Sequence, residues 1–482
     1  MVNNKSSIIN NDPPAHFESL YPPESRSAEI EKIIKFAKEG KSVQLIGLPG
    51  VGRSNLLGLL SFNKNVRKKH LGENQKWFHF IPVNFSEIKN RTHYEATKFI
   101  FLSLVESLRE RKQHKTEGSS FAAEDSFDAL NSIFKESSET NDEMVLFQGL
   151  KRATDFLCIE KELTIVFLFD RFEEYIPMLN AEFFSNLRAL RNRAKYRFSV
   201  VFSIPRLLED IIEPILFADF YEFLVDNVVY LPIADKPGLD FRISYLEKIS
   251  GKHIENSLIE EITLLTGGHG KLTRIALESL IGNGDEARIG DEKRKTSSEP
   301  SLVALTKFLL SQKAIHGALY EIWASLLPSE QKIIGSSEKR LALSSSENLY
   351  LENVGLIKDG KITIPLFEEF IQTLLRQDSG RAQQIIYNEE KNEILKGEIV
   401  LSEFLTSSEF KLLKFFIDNP DRIIEREEII KAVWKDEKTT EGVTDQALDQ
   451  LIFRLRKKIE DDPNNPEFIQ TIKGRGLKFS NS

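Results

Sequence analysis

Between residues 42 and 60 an apolar run, a glycine-bearing loop and the start of a helix follow one another without a gap, and that order restricts the first half of this chain to a parallel α/β sheet. Ser42-Val43-Gln44-Leu45-Ile46 reads as a short strand, Gly47-Leu48-Pro49-Gly50-Val51-Gly52-Arg53-Ser54 as the loop, and Asn55-Leu56-Leu57-Gly58-Leu59-Leu60 as the helix. In that setting glycines let backbone N–H groups curl round phosphates at a positive helix N-terminus, and a hydroxyl at the loop's end can ligate Mg²⁺. Gly47, Pro49, Gly50, Val51, Gly52, Arg53, Ser54 and Asn55 are therefore the nucleotide-binding candidates, with ATP or ADP and Mg²⁺ as the expected ligands. Arg53 stands where such a loop has lysine. A planar fork replaces a compact ammonium, so binding is expected and any hydrolysis is expected to be slow.

The companion strand is Leu163-Thr164-Ile165-Val166-Phe167-Leu168-Phe169, and it ends at Asp170. An acid at the carboxyl end of a buried parallel strand is placed to be the second Mg²⁺ group beside Ser54. Glu173 and Glu174 follow as candidates to orient an attacking water, with Arg171 in the slot directly after the aspartate. Phe198-Ser199-Val200-Val201-Phe202-Ser203 makes a further strand, and Ser203 at its end suits a γ-phosphate sensor. Arg188, Arg191 and Arg193 on the helix before it are read mainly as surface cations. Thr266-Gly267-Gly268-His269 begins a helix within a small helical lid expected over 236–285, which makes His269 a nucleotide-side candidate.

The last ninety or so residues have a different grammar. Phe410, Leu412, Leu413, Phe415 and Phe416 mark one helix, stopped at Asn419-Pro420, and Ile424 to Trp434 a second, shorter one. Ala447, Leu448, Leu451, Ile452, Leu455 and Ile459 keep helical spacing through a third. Phe468 to Ile472 and Leu477 to Phe479 then flank Lys473-Gly474-Arg475-Gly476, a strand-turn-strand with a cationic tip. Three helices and a basic hairpin predict a winged helix-turn-helix whose third helix enters the major groove. Thr444, Gln446, Gln450, Arg454, Arg456, Lys457, Lys458, Lys473 and Arg475 are the DNA-binding candidates, with double-stranded DNA as the partner. The glutamines are assigned to base edges and Arg454, Arg456 and Lys458 mainly to phosphates.

This module closely resembles the OmpR/PhoB-type effector domain of bacterial response regulators. The resemblance is carried by Leu405-Thr406-x-x-Glu409, Asn419-Pro420, Arg426-Glu427-Glu428, Ala432-Val433-Trp434, Arg454-Leu455-Arg456-Lys457-Lys458-Ile459 and Ile472-Lys473-Gly474-x-Gly476. Gln446 and Leu451 replace a frequent arginine and a frequent histidine of that family, which implies a different operator. In the first half, Arg26-x-x-Glu29, the phosphate loop, Leu168-Phe169-Asp170 and Thr266-Gly267-Gly268-His269 together resemble signal-transduction ATPases with numerous domains (STAND) and their origin-recognition-type AAA+ relatives, over roughly 16–285. Gly270 stands where those proteins have proline.

At 482 residues the chain has room for several cores. A net charge of −8 excludes a general nucleic-acid coat, so DNA-facing cations must be local. The lone Cys158 excludes a disulfide framework, and no apolar run reaches membrane-spanning length. With a polar start and no signal-peptide core, a cytoplasmic protein without membrane partners is expected. The expected organisation is a disordered 1–15, an ATPase core over 16–235, the lid over 236–285 and a linker over 286–300. A first winged helix over 301–377, a linker over 378–395 and the DNA reader over 396–482 complete it. The fold class is thus an α/β P-loop NTPase with helical lid followed by two α+β winged helices. A mobile insertion is expected over 111–143, and the first winged helix, with Ser344 to Asn348 where a recognition helix would start, reads as a packing or autoinhibitory module.

The favoured function is a nucleotide-regulated, sequence-specific transcriptional regulator. It would form nucleotide-dependent homo-oligomers and engage RNA polymerase or a signalling partner. The alternative is an AAA+ DNA-associated ATPase of replication initiation, transposition targeting or antiviral sensing that uses the winged helix only to dock. A third reading is an interaction scaffold with a dead nucleotide site.

Overall fold

The computed structural model describes residues 16–113, 126–212, 214–282, 301–336, 349–378, 384–397, 399–403, 405–434, 445–460, 463 and 465–481. The first half is built on five parallel strands: β1 (Val43–Ile46), β2 (Phe78–Asn84), β3 (Thr164–Asp170), β4 (Phe198–Ile204) and β5 (Val228–Tyr230). They lie in the order β2-β3-β4-β1-β5. β4 therefore separates the strand that leads into the glycine loop from the strand that ends at Asp170. β1 and β4 are buried at every residue, which is why they read as near-continuous apolar runs, broken only by Gln44, Ser199 and Ser203, rather than as regular alternation.

An aromatic cluster fills the carboxyl end of this sheet. Phe85, Phe169, Phe172, Tyr175, Phe183, Phe184 and Phe202 are buried and stack edge-to-face or tilted on one another. Arg171 adopts a left-handed φ of 52°, which turns the chain sharply after Asp170 and drops Phe172 into that cluster. Each such ring contributes about 1.5–3 kcal/mol on burial, so the turn carrying Glu173 and Glu174 is anchored from below.

Helices Lys236–Ser250, Asn256–Thr266 and Gly270–Gly282 follow the sheet. Gly267 ends the second of them at φ 58°, and a side chain there would run into the Thr363 carbonyl, so the glycine allows close approach to the next unit. That unit holds helices Ser301–Ser311, Lys313–Ala324, Pro328–Gly335 and Leu349–Asn353. A hairpin of β6 (Ile357–Lys358) and β7 (Lys361–Ile362) and helix Pro365–Asp378 complete it. Asp359 and Gly360 have φ of 52° and 71°, the two positive values that a two-residue type I′ turn demands.

The C-terminal unit carries helices Ser407–Ile417, Arg426–Val433 and Asp445–Ile459. A sheet of order β11-β13-β12 is formed by β11 (Ile423–Ile424), β12 (Ile469–Ile472) and β13 (Gly476–Phe479), giving a winged helix. The capping box of the first helix is formed: Thr406 N–H donates to Glu409 Oε2 at 2.8 Å and Glu409 N–H to Thr406 Oγ1 at 3.3 Å.

Two stretches differ from the sequence reading. Residues 378–395, read as a linker, contain β8 (Ile385–Asn388) and most of β9 (Glu393–Lys396), which pair with each other and with β10 (Ile399–Val400). This sheet joins the C-terminal unit, since Asn481 bonds both the N–H and the carbonyl of Ile385 and Lys414 bonds Tyr387. Polar composition hid a short strand buried on one side only, with Ile385 buried and Ile386 half exposed. Within 111–143, read as a mobile insertion, helix Ser126–Ser138 packs on helices His93–Gln113 and Glu143–Asp155 through Leu130 and its neighbours. Phe127, Leu130 and Phe134 carry helical spacing that the surrounding charge masks. The expected disordered 1–15, the expected 286–300 linker and Ser344 to Asn348 lie outside the described residues. Among the described residues no helix is long and apolar enough to cross a membrane.

Candidate functional site

The glycine loop leaves β1 and enters helix Arg53–Phe62, with Gly50 at φ 80° and Gly52, the helix N-cap, at φ 101°. The carbonyls of this loop are held from outside. Lys271 N–H donates to Gly50 O at 3.1 Å, His269 Nε2 lies 2.9 Å from Pro49 O, and Arg26 Nη2 donates to Val51 O at 2.7 Å. The lid segment flagged in the sequence therefore does sit on the loop. A side chain at Gly50 would strike His269 and Lys271, which explains glycine there beyond its φ.

His269 is fully buried, and that burial holds its imidazole down at about 4. Its Nδ1 accepts from Leu272 N–H at 3.3 Å, so the proton resides on Nε2, facing Pro49 O. A folded-state value below the ordinary 6.5 means the unfolded chain binds the extra proton. Stability from this group is complete above about pH 6.5 and is lost as pH falls toward about 4, by up to about 3 kcal/mol. Thermal midpoints measured from pH 8 to pH 5 should fall more steeply for the native chain than for His269→Asn. Parallel curves would remove the histidine from the loop's support.

Asp170 ends β3 beside β4, and Ser203 Oγ donates to its Oδ1 at 3.3 Å while Arg171 N–H donates at 3.0 Å. Arg53 turns toward this group: its Nη2 pairs with Glu173 Oε1 at 2.9 Å. The remaining ends of that pair, Arg53 Nη1 and Glu173 Oε2, are buried and make no hydrogen bond among the described residues. Glu174 is held by Arg91, which bonds its carbonyl at 2.7 Å and its carboxylate at 3.0 Å, and by Arg171 at 3.5 Å. Both glutamates proposed from sequence are thus arginine-bound, and the arginine in the lysine position is one of the three partners.

Ser54 is exposed on the first helical turn, and Asn55 Oδ1 accepts from Arg242 Nη2 at 3.3 Å. Between loop and lid lies a cleft bordered by Tyr21, Arg26, Gly52, Asn55, Arg242 and Arg274. Tyr21, Arg242 and Arg274 escaped the sequence reading because no local pattern marks them. Arg188 and Arg193 are tied within the chain to Asp219 and Asp155, and Arg191 lies over the Phe223 ring.

Just past β4, Arg206 reaches into the middle unit. It forms a bidentate pair with Glu330, through Nη1 at 3.0 Å and a second, shorter contact, with both side chains buried. It also lies 4.2 Å from the centre of the Tyr350 ring. Burial alone would lower the guanidinium, but Glu330, Tyr350 and Asp210 outweigh it and hold Arg206 above its ordinary value. Burial pushes the Tyr350 phenol up to about 12, and its hydroxyl donates to Pro205 O at 2.9 Å.

In the C-terminal unit, helix Asp445–Ile459 buries six of its seven apolar residues and leaves Gln446, Gln450, Phe453 and Lys457 along another strip. Gln446 is exposed and Gln450 half-buried, whereas Thr444 lies outside the described residues. The basic run does not project as a block. Lys458 Nζ pairs with Glu409 Oε2 at 2.5 Å and Arg454 Nε stands 3.8 Å from Glu409 Oε1. Burial would raise Glu409, but Lys458, Thr406 N–H and Arg454 hold it below its ordinary value. Arg456 donates to Ile469 O at 2.6 and 2.9 Å and to Thr471 Oγ1 at 2.8 Å, which fixes helix to wing. Lys473 and Arg475 stand exposed at the hairpin tip.

This helix is docked on the first half. It packs against the Ile176–Met178 turn, one residue beyond Glu174. Arg454 is depressed chiefly by burial and lies in the field of Arg91 and Glu174. Lys457 is held down at about 8 by burial and then by the nearby Arg206 charge. The Tyr320 hydroxyl of the middle unit donates to the Lys458 carbonyl at 3.3 Å.

Residues 403–479 match the family described as "Transcriptional regulatory protein, C terminal". Over 75 residues the chain is 43% identical to the regulatory protein VirG of Rhizobium rhizogenes, covering 16% of this chain and 30% of that protein. Over 89 residues it is 36% identical to the phosphate regulon transcriptional regulatory protein PhoB of Escherichia coli K12, covering 18% and 36%. The chain spans about a third of the length of these two curated relatives. Among solved structures it is similar to a Walker-type ATPase of Pyrococcus abyssi, at 14% identity and a TM-score of 0.40 over 75% of this chain and 99% of that one. It is similar to the Aeropyrum pernix ORC2 protein in its ADP form at 12% identity and a TM-score of 0.37, over 85% and 96%. Residues 403–479 are thus an OmpR/PhoB-type transcription-regulator domain, on a chain whose first half is a five-stranded parallel sheet with a glycine loop between β1 and the helix that follows it.

Proposed function

We propose that this chain is a nucleotide-regulated, sequence-specific DNA-binding transcriptional regulator, with a STAND-like or AAA+ ATPase region as switch and the C-terminal winged helix as output. The observation that carries the reading is the docking of helix Asp445–Ile459 on the turn that follows Glu174. Lys457, at one end of the groove-facing strip, is half-buried and lies in the field of Arg206, Glu330 and Asp210, so the DNA reader is not fully free while the units are packed.

The loop fits a nucleotide's phosphates. Gly50 and Gly52 supply the positive φ that an anion cradle uses, and the Arg53 fork is only half engaged, with Nη1 buried and without a hydrogen bond. Arg53 would hold phosphate oxygens, Ser54 and Asp170 would hold Mg²⁺, and Ser203 and His269 would keep Asp170 and the loop in place. Bound there, nucleotide and Mg²⁺ supply a concentrated charge beside the acid cluster. A phosphate taken by the unengaged Nη1 would share the Arg53 guanidinium with Glu173 and bring a second anion beside that pair, so loading would weaken the hold of Arg53 on Glu173. Glu173 lies in the Phe172–Glu174 turn, which leads through Tyr175 into the Ile176–Met178 turn under the docked helix, and this short stretch would link the two ends of the chain.

For the DNA face, Gln446 and Gln450 are assigned to base edges and Lys457, Lys473 and Arg475 to phosphates. Arg454, Arg456 and Lys458, bound to Glu409 and the wing, position the helix instead. Lys473→Ala and Arg475→Ala are each expected to weaken binding to all sequences and to reduce the slope of log K against log salt by about 0.9. Gln450→Ala should relax preference at one base pair by about 1–3 kcal/mol. Selection of genomic fragments by the full chain, with and without ATP and Mg²⁺, tests the reading. One shared motif should be enriched, and a truncation ending before Ile385 should enrich none. Recovery of the same fragments by that truncation would defeat the output assignment.

A further inference from the structure

On the far side of the aromatic cluster, three helix starts converge on one buried imidazole. His93 opens helix His93–Gln113, Glu143 opens Glu143–Asp155, and Glu182 lies in the first turn of Ala181–Ala194. One ligand atom from each lies within 4.8 Å of the others. The His93 side chain is 8% exposed, and its Nε2 stands 3.3 Å from Glu143 Oε1. Each glutamate is favoured where it is by its own helix dipole, but that effect does not require two first turns to meet at one imidazole.

The polar atoms here are not satisfied by one another. Glu143 Oε1 is buried and makes no hydrogen bond among the described residues, despite facing the imidazole. The Tyr175 hydroxyl is buried and equally without a partner, and burial together with the Glu143 charge pushes its phenol well up. Asn186 Nδ2 stands 3.1 Å from the same His93 Nε2 that faces the carboxylate, so that nitrogen meets an amide and an anion at once. A buried carboxylate oxygen and imidazole nitrogen side by side, with no hydrogen bond between them, are the surroundings that a cation would complete.

We propose that His93, Glu143 and Glu182 form a binding site for a divalent transition-metal ion of the zinc class. One imidazole with two carboxylates suits zinc and its first-row neighbours, whereas Mg²⁺ and Ca²⁺ take oxygen donors. The site is separate in sequence and chemistry from Ser54 and Asp170, so it stands whether or not the loop binds nucleotide. Tyr175, at its edge, immediately precedes the Ile176–Met178 turn on which the DNA-reading helix rests. An ion here would tie three helix starts beside that turn, a suitable place for a metal signal to enter.

The test uses the full chain, chelator-treated and nucleotide-free, titrated with Co²⁺ as a spectroscopic probe. One equivalent should bind with visible ligand-field bands, and an equivalent of Zn²⁺ should displace it while excess Mg²⁺ or Ca²⁺ should not. His93→Ala and the exposed Glu182→Gln should each lower Zn²⁺ affinity at least about tenfold, in line with the coupling of ligand number to affinity. Glu182→Gln should leave the thermal midpoint in chelator unchanged, which separates ligand loss from misfolding. Absence of a saturable Co²⁺ signal, or an unaltered Zn²⁺ affinity in Glu182→Gln, would overturn the site.

Discussion

Gly52→Asp is expected to weaken ATP and ADP binding by at least about 100-fold, or about 3 kcal/mol. Gly52 has φ 101°, which a side chain adopts only with strain, yet the nearest atom to an added Cβ is Asn55 Cβ at 3.7 Å. Space therefore exists, and what the aspartate adds is a negative charge at the helix start where phosphates would lie. Gly52→Ala separates the two effects, since it brings the strain without the charge and should lose much less. Binding of a fluorescent ATP analogue reads both variants. Native affinity in Gly52→Asp would remove the nucleotide site from 47–55.

Glu330→Ala is expected to cost about 3–5 kcal/mol of stability, the range for leaving one partner of a buried ion pair uncompensated. Arg206 and Glu330 are 4% and 5% exposed, and Glu330 also accepts from Leu327 N–H at 2.7 Å, which caps helix Pro328–Gly335. Without the carboxylate, the Arg206 guanidinium retains Ser325 O at 3.1 Å and the Tyr350 ring but no counter-charge in the pair. Replacing both partners by apolar residues, as Arg206→Met with Glu330→Leu, should recover much of the loss. The same change should loosen the middle unit from the sheet. Because Lys457 sits beside Arg206, nucleotide-free DNA affinity should then rise toward that of residues 384–482 alone. Denaturant unfolding and DNA titration read the two consequences separately, and a stability loss under about 1 kcal/mol would mean the pair is not holding the units together.

What was legible in the sequence was local. The strand-loop-helix at 42–60 and the helices and wing of the last ninety residues are set by neighbours a few positions apart, and the sheet order and winged helix agree with them. The approach of His269 to Pro49 spans 220 positions and was accessible only through resemblance to ATPases with a lid. Arg53 stands out locally as a departure from lysine, but nothing local shows that its fork would close on Glu173. From sequence alone, Arg454, Arg456 and Lys458 read as a phosphate-facing set. Two of its members instead neutralise Glu409, a capping-box acid that burial obliges to find cations. Arg206 with Glu330, and His93 with Glu143, lie far apart in the chain, so their pairing is a property of the packed structure. The strand at 385–388 and the helix at 126–138 are hidden for a different reason: their apolar residues are few and their polar faces dominate composition.

The central claim is that nucleotide at one end and DNA at the other are linked. Linkage is reciprocal, so ATP with Mg²⁺ should change operator affinity by the same factor that operator changes ATP affinity. The decisive measurement is the operator affinity of the full chain with and without saturating ATP and Mg²⁺, at several protein concentrations. The account predicts tightening by about 5–150-fold, a coupling of about 1–3 kcal/mol. It also predicts a much weaker response in Asp170→Asn and none in residues 384–482 alone. Equal affinity with and without nucleotide at every concentration would contradict it, and would leave the winged helix a DNA reader with no switch.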